Sequence, residues 1–272
     1  MKVAVIGAGW LGFSLCKALQ KQGIEVVASK RDREQAEKLT FEGLDTFVYQ
    51  LGAKLPEALQ ACSHFVINIG AGRRGFEKQR FEQQMQELLR QCLAKADKRL
   101  LFISTTSVYG EANKTFTEDT LPEPISDSAK AHVAIEQFLK DNFPEQASIL
   151  RLAGLIAEDR HPVYYLEGKK DITAAHKMVN LVHRDDAVAA ILAVLDKQLW
   201  GEVFHLCATS HPTRRNYYTK AAEILELVPP MFLDNSDQPA TGKCIDPDAT
   251  LQKLELTLQY SSPFDMLPQE VE

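Results

Sequence analysis

The chain has 272 residues, 45% of them hydrophobic, and a formal net charge of -6, enough apolar material for one large core or one core with a smaller lobe. The acidic balance argues against a nucleic-acid surface, which needs a basic surplus. Five scattered cysteines without a CxxC pair point to reduced thiols, no signal-peptide pattern opens the chain, and the apolar run at 187–195 is too short to cross a bilayer, so the expectation is a cytoplasmic protein with no membrane and no nucleic-acid partner.

The first half alternates strand and helix patterns. "KVAVIG" (2–7) reads as a strand, and "WLGFSLCKALQKQG" (10–23) as a helix closed by glycine. "EVVAS" (25–29) is the next strand, followed by a helix over "REQAEKL" (33–39). "DTFVY" (45–49), "LPEALQ" (55–60) and "HFVINIG" (64–70) continue the alternation. A long helix is expected at 81–96, a strand at 99–105, a helix within 124–138 and a strand over "ASILRLAG" (147–154). The strands are almost continuously apolar, as they must be when helices cover both faces of a parallel sheet. The pattern predicts an α/β fold with a doubly wound parallel sheet. It divides into a Rossmann-type domain at 1–155 and a small C-terminal substrate lobe at 156–272, some of whose elements return to the sheet. Beyond 155, "HPVYYLEGKK" (161–170) reads as loop with a short helical turn, 184–198 and 213–227 as helices, 202–208 as a strand, and the stretch to about 242 as loop.

Gly7, Gly9 and Gly12 form a GxGxxG between the first strand and the first helix. That context gives the pattern its meaning: Gly7 permits the tight turn, Gly9 lets a pyrophosphate approach, and Gly12 lets helix pack on strand. The helix start, Trp10 and Leu11 included, presents backbone N–H groups to the anion. The second strand ends in Ser29, Lys30 and Arg31, where NAD-binding chains commonly place an acid on the ribose. Arginine and lysine suit a 2′-phosphate, so the expected cofactor is NADP(H), with NAD possible, and Arg31 as the main determinant. Gly70 and Ala71 follow the fourth strand at the cofactor edge. Arg73 and Arg74 there suit either a phosphate or a solvated helix start.

"GAGWLG", "FISTTSVYG" (102–110), "ILRLAGLI" (149–156), "NLVHRDDAVAAI" (180–191) and "GEVFHLCATSHPTRRNYY" (201–218) together resemble the extended short-chain dehydrogenase/reductases, in particular the atypical NAD-dependent epimerase/dehydratase proteins. The resemblance covers nearly the whole chain. It implies a sugar nucleotide or related small molecule as substrate, and it allows a homodimer. It also implies a Ser or Thr holding substrate, matched by Thr105, and a tyrosine acid/base with a lysine four residues on. Spacing of four stacks two side chains on one helix face. Here the tyrosine is replaced. Matching on Lys130 puts Ser126 at its position; matching on Pro124 and Glu136 puts Ser128 there and His132 at the lysine position, which is the preferred alignment. A serine hydroxyl is far less acidic than a phenol, so the usual mechanism is not expected. His132 and Tyr109 are the candidate substitutes, each weighed against a packing role. Tyr164 and Tyr165 suit a substrate pocket or the core equally. His161 and His183 have no second ligand at metal spacing, so no metal site is expected.

Overall fold

A computed structural model describes residues 1–71, 76–233 and 238–267. Its centre is a parallel seven-stranded sheet. The chain runs β1 (Lys2–Ile6), α1 (Trp10–Lys21), β2 (Glu25–Lys30), α2 (Arg33–Phe41), β3 (Asp45–Val48), α3 (Glu57–Gln60) and β4 (His64–Ile67). It continues through α4 (Lys78–Cys92), β5 (Arg99–Thr105), the short β6 (Thr115–Phe116), α5 (Asp127–Asn142), β7 (Ala147–Leu152) and β8 (Gly154–Ile156). The remainder is β9 (Leu181–His183), α6 (Arg184–Asp196), β10 (Val203–Leu206), α7 (Arg214–Ile224), β11 (Cys244–Ile245) and α8 (Asp248–Leu254).

The sheet order is β10-β7-β5-β4-β1-β2-β3. The chain winds one way from β1 through β2 to β3 and the other way from β4 onward, so the switch lies between β1 and β4. In such sheets the crevice beyond the carboxyl ends at the switch is where ligands bind. Register fixes what lies there. Ile6 pairs with Ser29 and with Ile67, and Val48 pairs with Lys30. Gly7, Asn68 and Tyr49 are the residues that follow these strands.

Val3 to Ile6 and Phe65 to Ile67 are fully buried, which accounts for their unbroken apolar pattern. Helix α1 buries Leu11, Leu15 and Leu19 with Gly12 and Cys16, a stripe at four-residue spacing. It stops where expected: Gly23 takes φ +72° and Ile24 N–H reaches back to Leu19 O at 3.0 Å, a left-handed glycine terminus. The 147–154 strand is two strands. Beyond Leu152 the chain leaves the sheet, and β8 pairs instead with β9.

The chain separates into two compact units. The first comprises residues 1–108, 122–151 and 190–204, and the second 109–121, 152–189 and 205 onward. The first holds a core running from Ala4 and Ile6 through Phe65, Met85, Leu88 and Phe102 to Ile135 and Ile149. The second holds a smaller core of Ile156, Val163, Leu181, Tyr217, Phe232 and Met266. It also contains the parallel pair β6 and β11 and helix α8, which the sequence reading left without an element.

Within the second unit His161 is a packing residue. Its Nδ1 accepts from Val163 N–H at 3.2 Å, so Nε2 carries the proton and donates to the Tyr217 hydroxyl at 2.6 Å. Burial lowers its pKa to about 4, keeping it neutral. His183 Nδ1 likewise accepts from Asp185 N–H at 3.2 Å, with Glu158 3.3 Å from Nε2. Tyr164 and Tyr165 are 48% and 76% exposed, so neither belongs to the core.

Candidate cofactor cleft

The first unit carries a cleft of about 540 Å3 at the carboxyl edge of the sheet, within the usual range for small-molecule sites. The glycine loop forms its floor. Gly7 has φ +98°, and a Cβ there would stand 2.4 Å from Asn68 O. A Cβ on Gly12 would stand 2.5 Å from Gly7 O. Both positions therefore require glycine for the loop to close. The Asn68 side chain ties the turn to β4, its Nδ2 donating to Gly7 O at 3.1 Å. Ser29 ties it to β2, its Oγ accepting from Gly7 N–H at 3.1 Å.

Gly9 differs. Its φ of -74° is open to any residue, and a Cβ there would meet nothing nearer than Gly7 O at 4.0 Å. Glycine at this position keeps space open in the cleft rather than relieving the backbone. The open space at Gly9 lies beside the N-terminus of α1, whose first N–H groups have no side-chain cap, and it fits a pyrophosphate. The dinucleotide that this loop suits would supply hydride transfer at its nicotinamide.

Gly7, Gly9, Ser29, Lys30, Arg31, Gly70 and Ala71 all line the cleft. Leu11 and Gly12 are buried behind it, and Trp10 opens α1 without lining it. Asp32 also lines the cleft, but its Oδ1 accepts from Gln35 N–H at 3.0 Å as the N-cap of α2. Lys30 Nζ donates to Gln35 Oε1 at 3.3 Å. The apolar part of the lining is Tyr49, Leu51, Ile69, Phe76 and Phe81, the two phenylalanines edge to face at 5.5 Å. Burial raises the Tyr49 phenol to about 12. Ala8, Gln35, Glu77 and, from α4, Arg80 and Gln84 also line the cleft. Sequence reasoning missed Asn68, Tyr49, Arg80 and Gln84. The first two directly follow strands β4 and β3, where the fold places ligand contacts. Arg73 and Arg74 lie outside the described residues.

The residues expected to act on substrate are less open. Thr105 ends β5; its Oγ1 accepts from Ser107 N–H and donates to Ser107 Oγ, both at 3.1 Å, holding the turn that follows. Ser126 is the N-cap of α5, accepting from Ala129 N–H at 3.2 Å. Ser128, in the first turn, lies 3.2 Å from Ser126 Oγ. His132 is 7% exposed and stacked on Phe102 with centroids 5.6 Å apart. Its Nδ1 is 3.5 Å from Ser104 Oγ, and burial lowers its pKa. Lys130 pairs with Asp127 at 3.6 Å. Ser104 Oγ donates to Glu136 Oε1 at 2.6 Å, and Arg151 grips Glu136 through Nη2 at 2.6 Å and Nε at 3.2 Å. In the second unit Tyr109 is 1% exposed. Its hydroxyl donates to Thr117 O at 3.1 Å and lies 3.0 Å from His205 Nδ1.

A GxGxxG loop between the first strand and helix of a parallel, doubly wound sheet, opening on a cleft at the switch point, defines a dinucleotide-binding Rossmann protein. The chain belongs to the NAD(P)H-binding family, whose model matches residues 7–198. It is 34% identical to Protein YeeZ of Escherichia coli (strain K12) over 271 residues, 97% of this chain and 98% of that protein. Solved structures share the fold at lower identity. UDP-glucuronic acid 4-epimerase from Bacillus cereus, in complex with NAD, superposes with a TM-score of 0.81 at 22% identity, covering 98% of this chain and 94% of its own. A conserved protein of unknown function from Silicibacter pomeroyi gives 0.78 at 22%, covering 98% and 96%. The fold is thus that of the NAD-dependent epimerases and short-chain dehydrogenases. Among the described residues no helix is long and apolar enough to cross a membrane.

Proposed function

We propose that the chain binds NADP(H) in preference to NAD(H), and that it takes a sugar nucleotide or related small molecule with catalysis that does not use the tyrosine-lysine pair. The observation that carries the cofactor reading is the composition of the cleft beside β2. Ser29, Lys30 and Arg31 line it, and the nearby carboxylate of Asp32 is committed to capping α2. A ribose 2′-hydroxyl asks for an acceptor there, whereas a 2′-phosphate asks for cations. The substrate class is supported by the shared fold with the UDP-glucuronic acid 4-epimerase.

A second reading, a dinucleotide-binding regulator that does not turn over, draws on α5. Ser128 stands in its first turn beside Ser126, Lys130 is engaged by Asp127, and His132 is packed and held neutral by burial. The lysine one turn on from Ser126 is the one engaged by Asp127, and the residue one turn on from Ser128 is His132. Positioned acid/base help contributes about 10^2- to 10^4-fold, so only slow NADPH consumption is expected with UDP-sugars and small carbonyl compounds, and His132→Ala should leave it unchanged. Brisk turnover abolished by His132→Ala would place the proton transfer on that imidazole and contradict this reading of α5.

A further inference from the structure

Two guanidinium groups line the cleft from different elements: Arg31 directly after β2, and Arg80 in the first turn of α4. Among the described residues neither forms a hydrogen bond or ion pair. Lys30, the other cation lining the cleft among the described residues, is already engaged by Gln35.

Arg80 stands where local electrostatics disfavours it. A helix N-terminus carries partial positive charge, and the first turn of α4 contains Lys78 and Arg80 and no acid, with Glu77 at the N-cap. Lys78 is offset one turn on by Glu82 at 3.7 Å. The residue one turn on from Arg80 is Gln84, which is uncharged and also lines the cleft. Glu77 also lines the cleft but forms no ion pair with Arg80 among the described residues, so Arg80 breaks a local rule, as residues at functional positions do. What would compensate it is an anion entering the cleft.

This inference rests on the reading of the cleft as a dinucleotide site. With the pyrophosphate on the glycine loop and α1, the remaining anion of NADP(H) is the 2′-phosphate on the adenosine ribose. The geometry points to Arg80 as a second guanidinium for that 2′-phosphate, together with Arg31, so that selection against NAD(H) depends on both residues. Two planar forks can serve the oxygens of one phosphate from two directions, which a single arginine cannot do.

The test uses 2′,5′-ADP and 5′-AMP, which share the adenosine and its 5′-phosphate and differ only in the 2′-phosphate. Both are titrated calorimetrically into the full chain, into Arg80→Ala and Arg80→Gln, and into Arg31→Ala. Removing a charged hydrogen-bond partner should weaken 2′,5′-ADP by about 10- to 100-fold in each variant and leave 5′-AMP unchanged. Arg80 is exposed, so these variants should fold, and unchanged melting temperatures check it. Equal losses for both ligands in Arg80→Ala would mean that the side chain stacks on adenine and would overturn the proposal. Loss in Arg31→Ala alone would overturn it while leaving the NADP(H) reading standing. Failure of the unmutated chain to bind either nucleotide would overturn both.

Discussion

Gly9→Val should weaken NADPH binding by at least about tenfold, because forcing extra methyls into a close contact costs ~1–3 kcal/mol or more, and it should leave the melting temperature almost unchanged. The separation of the two effects comes from the loop itself. Gly9 has an ordinary φ of -74°, and a Cβ there has no protein atom nearer than 4.0 Å, so a side chain fits the folded chain. Its methyls occupy the space over which a pyrophosphate would lie. Gly12→Val is the contrasting variant. Its Cβ would stand 2.5 Å from Gly7 O, so it should lower stability as well as binding. Calorimetric titration with NADPH and thermal melting of both variants make the comparison. Normal affinity in folded Gly9→Val would remove the glycine loop from the site.

The largest expected loss of stability is in the first unit, at the buried pair of Glu136 and Arg151. Their side chains are 2% and 1% exposed, and Ser104 occupies the remaining oxygen capacity on one side of the carboxylate. Two charges are out of water, each dependent on the other. Glu136→Ala should therefore cost ~3–5 kcal/mol, the usual result of orphaning a buried charge, and it would also leave the Ser104 hydroxyl without its acceptor. Replacing both partners, Glu136→Leu with Arg151→Met, should recover much of that loss, since apolar residues of similar volume often match a buried ion pair. Chemical denaturation of the two single variants and the double variant measures the coupling. A double variant no more stable than the worse single one would contradict the account of the pair.

The order of strands and helices was legible because each element of the first unit carries its own period. The leucine stripe of α1 and the unbroken apolar runs of β1 and β4 follow directly from burial on one face or on two. The ends were legible where a specific residue sets them, as Gly23 does for α1. What was not legible lay in short elements. Helix α8 spans seven residues, too few for a period to emerge. The break between β7 and β8 falls inside an apolar run, and nothing local announces that the chain changes sheets there.

The site was legible in part for a similar reason. Gly7, Gly9 and Arg31 stand in a pattern of fixed spacing, which a sequence displays. Asn68, Tyr49 and Arg80 meet at the cleft only because β4, β3 and α4 are brought to one edge, and that meeting depends on strand order. Arg80 did leave a local trace, a cation without an acid in a helix first turn. Ser126 illustrates the opposite case. A serine directly before a helical stretch is a favoured N-cap residue, and that is the role Ser126 has at the start of α5.

The claim on which the account turns is that the cleft beside β2 selects a 2′-phosphate. Calorimetric titration of the full chain with NADPH and NADH, repeated on Arg31→Ala, tests it most directly. The account predicts tighter binding of NADPH and a preference that shrinks by about tenfold or more when the guanidinium is removed. Equal affinity for the two cofactors, or a preference for NADPH that survives intact in Arg31→Ala, would contradict it.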